Sequence, residues 1–479
     1  MIDQVGWLTA LIIPVIFACA FIVPSSLRQA VVRFRALGQQ LTWWHVLWLL
    51  IFMSGFTFRV RDAQDIRNTA VDSWALYRIT LVGVTALYLV IYVTVKRLPL
   101  LRSMFRGLIA LLAIYALISV ASTLWSVYPI WTLYRSTEYL VDVALLAAVL
   151  ATVESETAYK TLLDWTWTFD GLLLASVWLG TIAWPSDALQ SSNGLLSVQL
   201  NGVMPQISAN GVGELSAIIA VVTSSRLLLR RSPRCGRAFY SLLLVLSLST
   251  MLFAQTRSAI LGFLSGFALV LYFSKRRVLV TLLIAGIILF VSLGQLGGLA
   301  EEYMRRGQSD EAVKSLSGRV EWWEAAWDVA KDHPWLGAGA CTSRFTVLAS
   351  QGYGDVSGIH NTYLETLVGV GVAGLLPIAA VLIASWKILW GLCWQHRWGS
   401  WPRHLAIEAI AVLAVITCRS FFTNSVVLHP SLESFAILGY AELLRRSIKQ
   451  LPSYQTTAMR RGPAECGGAS AGLKAYSRS

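Results

Sequence analysis

His360 and Asn361 open the stretch of this chain whose residue types best support chemistry. Gly371 and Gly374 follow them, where a long polar segment gives way to an apolar helix. An imidazole titrates near neutrality, so at a water–lipid boundary it can take a proton from a hydroxyl. The same pair also reads locally, as a histidine packed at a helix start and an asparagine that caps the helix. Arg257 lies in Gln255-Thr256-Arg257-Ser258, a very short turn between two apolar runs. A guanidinium keeps its charge at every relevant pH and binds phosphate oxygens in pairs. The free amides at the start of the next helix favour an anion as well. The alternative is an arginine that snorkels at a helix end. Arg319 begins a helical segment in the long polar stretch, either as a second anion clamp or as a solvated charge. Arg135, at another span end, and His429, just before Pro430, are secondary candidates, as is Asn361.

Other site types are missing from the sequence. No His, Cys and Asp cluster has metal-ligand spacing, and no Gly-x-Ser-x-Gly elbow occurs. Gly337-Ala338-Gly339 is not followed by the Gly-Lys-Ser/Thr of a phosphate loop. The six cysteines make no framework, because Cys341 stands alone in the long loop. The reading is therefore of a site with neither metal nor cofactor.

The elements that must position these residues are membrane spans. The chain has 479 residues, 56% hydrophobic and 14% charged, where a soluble domain carries about 25% charge. Its mean hydropathy is +0.61, and apolar runs near the ~20 residues of a bilayer crossing recur along it. This predicts an all-α, polytopic membrane protein of about 12–13 transmembrane helices with one large outward loop. The runs fall near 5–23, 41–58, 74–95, 104–124, 136–153, 165–184, 209–228, 238–256, 258–274, 278–296, 362–391, 405–424 and 431–445. The first is read as a retained span, with no basic residue before it and no clear cleavage site. Three parts hold spans or loop: 1–296 with about ten spans, 297–361 as the loop, and 362–446 with about three more. Residues 447–479, rich in Gly, Ser, Arg and Lys, are read as a disordered cytoplasmic tail.

Net charge is +13, but its placement argues against nucleic acid. Of the 39 Lys and Arg, 26 fall on one set of connections, which makes that side cytoplasmic. His360, Arg257 and Arg319 then share the outer side. The loop is expected to carry an amphipathic helix from Arg319 to Asp332, with Val320, Trp323, Trp327 and Ala330 as its apolar stripe. That helix would lie on the membrane surface or cap the bundle. Pro334 ends it, and Pro377 is expected to kink the long helix that follows. Gly371 and Gly374 read as small residues that let helices approach closely. Asp142, Asp170, Glu214, Glu408 and Glu433 lie in or near spans, either as functional groups or as partners of neighbouring polar groups.

Three segments, taken in order, resemble a known family. They are Thr256-Arg257-Ser258 opening an apolar helix; Gly318-Arg319 with Trp322-Trp323, Ala326 and His333-Pro334-Trp335-Leu336-Gly337-Ala338-Gly339; and His360-Asn361 with Gly371 and Gly374. Together they resemble the O-antigen ligase / O-antigen polymerase superfamily, over about residues 120–445. The segment from Trp125-Ser126 to Arg135 is similar to exopolysaccharide polymerases of that superfamily. The resemblance implies a metal-independent glycosyltransferase of the bacterial inner membrane that works on the periplasmic side. Its donor would be a glycan on undecaprenyl diphosphate, held by Arg257 and Arg319, with His360 as base on the acceptor hydroxyl. The acceptor would be a growing glycan, for a polymerase aided by a chain-length regulator, or lipid A-core, for a ligase. The ligase pattern continues with Thr-Gly after its second Gly, whereas Leu375-Leu376 follow Gly374 here. That departure favours the polymerase. A protein acceptor stays open, and so does a transporter or flippase of the same pathway, although no clear internal repeat supports the latter.

Overall fold

In lipid, every backbone amide and carbonyl must find its partner within the protein, and a helix satisfies them within one segment. The computed structural model describes residues 41–276 and 301–460, except 60, 70, 154, 193–194, 230–233, 304, 354–355, 357, 396–399 and 429–430, with scattered residues elsewhere. The described residues are overwhelmingly helical: α1 (Trp43–Ser54), α2 (Ala63–Asn68), α3 (Ser73–Lys96), α4 (Leu100–Met104), α5 (Gly107–Ala121), α6 (Pro129–Thr152), α7 (Glu156–Ala183), α8 (Pro185–Ala188), α9 (Ala209–Leu229), α10 (Arg234–Ala254), α11 (Arg257–Phe273), α12 (Asp310–Lys314), α13 (Arg319–Asp332), α14 (Thr362–Gln395), α15 (Trp401–Arg419) and α16 (Leu432–Arg460). The strands β1 (Leu189–Ser191) and β2 (Val198–Leu200) form one small antiparallel hairpin.

Among the described residues, six helices are long and apolar enough to cross a membrane, at 73–96, 107–124, 209–229, 236–254, 362–395 and 401–419, and α1 and α11 are shorter apolar helices. The chain is an all-α polytopic membrane protein. Helices α6, α7 and α16 overlap the expected spans at 136–153, 165–184 and 431–445, and carry buried Glu138, Asp142, Asp170 and Glu442. The expected span at 5–23 lies outside the described residues, as do most of 278–296 and the tail from 461. Helix α16 itself runs on to Arg460.

The helices that hold the site are registered by two ion pairs built on buried arginines. Arg226 near the end of α9 donates to Glu408 near the start of α15, at 2.8 and 2.9 Å, and to Asp164 of α7 at 2.6 Å. At the opposite ends, Arg419 of α15 pairs with Glu214 of α9 at 3.3 Å. The two helices are therefore antiparallel, and their ion pairs stand roughly 18 Å apart along α9. Between them α11 packs closely on α15. A Cβ at Gly266 would stand 2.7 Å from the Ala411 carbonyl oxygen, the close backbone approach that small residues permit between membrane helices.

Helix α14 is broken, and the break falls at Gly371 (φ 62°, ψ −162°) rather than at Pro377. The segment from Pro334 to Gly339 lies across the gap. Val372 N donates to Pro334 O (2.9 Å) and Ala373 N to Trp335 O (3.1 Å). From the other side, Ala338 N donates to Val368 O (2.8 Å) and Gly339 N to Gly369 O (2.9 Å). The loop backbone thus satisfies the groups that the break releases. Gly371 and Gly337 (φ 66°) leave room for backbone against backbone, so the small residues admit a loop here and not a neighbouring helix. The short first part of α14 becomes a separately anchored piece with His360 at its head.

Gly371→Ala is expected to cost about 1–3 kcal/mol in backbone strain alone, with a further cost because its Cβ would overlap the Trp335 carbonyl group. Gly374→Ala should be milder, since the added Cβ meets the side chain of Val370. Thermal unfolding in detergent measures both. An unchanged melting temperature for Gly371→Ala would refute this account of the break.

Candidate functional site

The turn before α11 is fixed from below. Thr256 Oγ1 donates to Ala209 O (2.9 Å) and Gln255 Nε2 to Val198 O (2.8 Å). Gln255 itself sits in the left-handed region at φ 50°. Arg257 is the first residue of α11, and its Nη2 donates to Gln308 Oε1 at 2.8 Å. Arg306, at φ 55°, reaches back to the same turn, with Nη1 on Gln255 O at 3.0 Å.

Arg319 is the first residue of α13. Three successive residues before it, Leu316, Ser317 and Gly318, have positive φ (52°, 64° and 83°). For the leucine and the serine this conformation is costly. Two contacts support it: Gly318 N donates to Ser315 Oγ (3.2 Å) and Gln308 Nε2 to Ser317 Oγ (3.0 Å). The buried face of α13 is Trp322, Ala326 and Ala330, and Trp322 and Ala326 pack on Val347, Leu348, Ile359 and Val368. Of the expected stripe of Val320, Trp323, Trp327 and Ala330, only Ala330 is buried. Trp327 is exposed, and the helix is rotated so that its apolar side meets the loop core.

His360 precedes α14 in the left-handed region, at φ 54°. Its ring lies 6.2 Å from the ring of Trp322, and Trp323 Nε1 donates to Ile359 O at 2.9 Å. Asn361 is the cap: its Oδ1 accepts from Tyr363 N and Leu364 N, both at 3.0 Å. Glu365 ties this head down, accepting from Ser343 Oγ (2.6 Å), Ile359 N (3.4 Å) and Asn424 Nδ2 (3.4 Å).

Arg257, Arg319 and His360 meet at one end of the bundle, and two more arginines join them. Arg319 lies within electrostatic reach of Arg419, Arg306 and Arg257, and His360 within reach of Arg319 and Arg419. Among the described residues, Arg257, Arg306 and Arg319 have no carboxylate partner, and only Arg419 has one, in Glu214. Burial, then the charges of Arg419, Arg306 and Arg257, push the Arg319 guanidinium down to about 10. Burial, then Arg319 and Arg419, push the His360 imidazole down to about 4. The site therefore presents surplus positive charge beside an imidazole that is uncharged at neutral pH, a setting for an anion and a proton acceptor.

Of the secondary candidates, Asn361 lies at the site as the helix cap and Arg135 does not join it. Arg135 is bonded to Glu138, next to Arg78, with its guanidinium over the rings of Trp131 and Tyr134. It belongs to a separate cluster in which Arg78 and Arg135 share Glu138. His429 lies outside the described residues. Cys341 is free, and burial raises its thiol to about 12, which removes it as a nucleophile at neutral pH. Among the described residues, no three His, Cys, Asp or Glu side chains group to hold a metal ion. Sequence reasoning missed two members of the cluster. They are Arg306, in the loop, and Arg419, although an arginine within an apolar span is itself a signal.

Residues 242–379 match the family model described as O-Antigen ligase. The matched segment contains Arg257, Arg306, Arg319 and His360, and supports the resemblance to the O-antigen ligase and polymerase superfamily; Glu214 and Arg419 lie outside it. No curated protein matches the chain.

Proposed function

We propose that this chain is a glycosyltransferase of the bacterial inner membrane that takes its glycan from an undecaprenyl-diphosphate-linked donor and joins repeat units on the periplasmic side. The observation that carries the reading is the group of four arginines, three without a carboxylate, two of which, Arg319 and Arg419, act on one uncharged imidazole. A sugar diphosphate places its negative charge there. As the bond from the anomeric carbon to the diphosphate oxygen breaks, charge grows on the leaving group, and Arg257 and Arg319 stabilise it, a contribution of several kcal/mol in a dry site. His360 accepts the proton of an acceptor hydroxyl while that oxygen bonds to the anomeric carbon from the opposite face. The products are the extended glycan with inverted anomeric configuration, undecaprenyl diphosphate, and a proton on His360 that returns to water. The arginines supply the positive charge that a metal ion would otherwise bring.

The description of the matching family favours a second reading, transfer of the finished glycan to lipid A-core. Leu375-Leu376 after Gly374 favour the polymerase. Purified protein given lipid-linked repeat units alone separates the two. A ladder of products is expected; product only when lipid A-core is added would transfer the assignment to the ligase. A chain-length regulator is a partner of the polymerase reading alone.

A further inference from the structure

We propose that Arg419 is a positioning residue for both halves of this site: it fixes the start of the helix that carries Arg257, and it places a permanent positive charge behind Arg319 and His360. The inference rests on the reading above and names a residue outside the segment that the family match covers.

Arg419 is 0% exposed, so it meets no substrate and must act through its neighbours. Its Nη1 donates to Ser258 Oγ (3.1 Å), and its Nη2 to Asn210 O (3.0 Å) and Glu214 Oε2 (3.3 Å). Ser258 follows Arg257 directly, so this contact sets where α11, and with it Arg257, begins. Glu214 is held in turn by Ser425 Oγ at 2.8 Å, and Gly262 leaves room for the arginine stem. The guanidinium is thus tied to α9, α11 and α15 at once. An arginine buried among membrane helices is expensive unless its charge is used, and one long contact with a part-exposed carboxylate offsets that cost incompletely.

The groups facing His360 make the consequence specific. Helix α13 presents Arg319 and the ring of Trp322, and Arg419 of α15 lies within electrostatic reach. From α14, Glu365 is turned onto Ser343 and Ile359 N, and the segment after α15 contributes neutral Asn424 to that carboxylate. Arg419 therefore joins Arg319 in opposing a proton on the imidazole, which keeps the base free until an anionic donor offsets both charges.

The test uses the full-length chain in nanodiscs with lipid-linked repeat units as substrate. Folding is checked by thermal unfolding. Arg419→Gln removes a positive charge, so His360 holds its proton to higher pH, and the acid limb of kcat should move up by roughly one unit. Glu214→Gln leaves Arg419 uncompensated, so the limb should move down. Ser258→Ala keeps every charge but frees the start of α11, and should raise the donor KM several-fold with the limb in place. If Arg419→Gln does not fold, the other two variants decide. An unmoved limb in Glu214→Gln together with an unchanged KM in Ser258→Ala overturns the proposal. Failure of the underlying reading looks different: His360→Ala would then turn over donor at the wild-type rate, whatever Arg419 does.

Discussion

His360→Ala is expected to lower kcat by about 10²–10⁴-fold, the range for loss of a general base, while donor binding changes little. The imidazole makes no hydrogen bond within the protein among the described residues, and its packing contact is the ring of Trp322, 6.2 Å away. Its removal should leave the fold intact. Asn361 caps α14 and Glu365 anchors the loop without it. The pH profile distinguishes a base from a packing residue. In the free protein, burial and the two facing arginines hold the imidazole at about 4. It is then neutral at pH 7, ready to accept a proton but only weakly basic. A bound diphosphate brings negative charge to those arginines and raises the pKa. The acid limb of kcat/KM, which reports the free protein, should therefore lie near pH 4, and that of kcat at higher pH. His360→Ala should lose the limb altogether. A variant that keeps more than a tenth of the wild-type rate, or that keeps the limb, would refute the role. If glycan transfer survived and donor translocation failed instead, a transporter would be the better description.

The contrast between what could and could not be read in the sequence follows from the range of the interactions. Composition and apolar runs are local, so the helical membrane architecture was legible. The order Arg257, Arg319, His360 was legible too, because each residue opens a helix and helix starts leave local marks in Ser, Thr, Gly and Asn. The break at Gly371 was not. Pro377 is the stronger local signal for a kink, but the break depends on the loop backbone at Pro334–Gly339, which offers partners to amides more than thirty residues away. The same limit hid Arg419. Its significance comes from Ser258 and Glu214, both far from it in the chain, and no window of sequence contains the three together. Arg135 fails in the opposite sense. Its sequence position suggests a charge at a span end, but it lies in the second turn of α6 and bonds Glu138 one turn further along, a pairing that i, i+3 spacing could have suggested.

Arg319→Met is expected to move stability and activity in opposite directions. The wild-type guanidinium is partly buried, has no carboxylate partner among the described residues, and faces Arg257, Arg306 and Arg419. Without an anion, that arrangement costs free energy through desolvation and like-charge repulsion together. Methionine keeps most of the apolar stem and removes the charge. In the absence of ligand, the variant should be more stable by roughly 1–3 kcal/mol, read as a higher melting temperature at low salt. The strained residues Leu316, Ser317 and Gly318 before it point the same way, because backbone held in such a conformation marks a position built for use rather than for stability. With donor present, the order reverses. A preorganised charge aimed at a developing oxyanion typically contributes about 10²–10³-fold in rate, so kcat should fall by that factor. Inorganic pyrophosphate should raise the melting temperature of the wild type and leave that of the variant nearly unchanged. A variant that is less stable than the wild type without anion, and that still turns over donor, would mean that Arg319 is a structural surface charge, and the anion site would lose the member that most clearly lacks a partner.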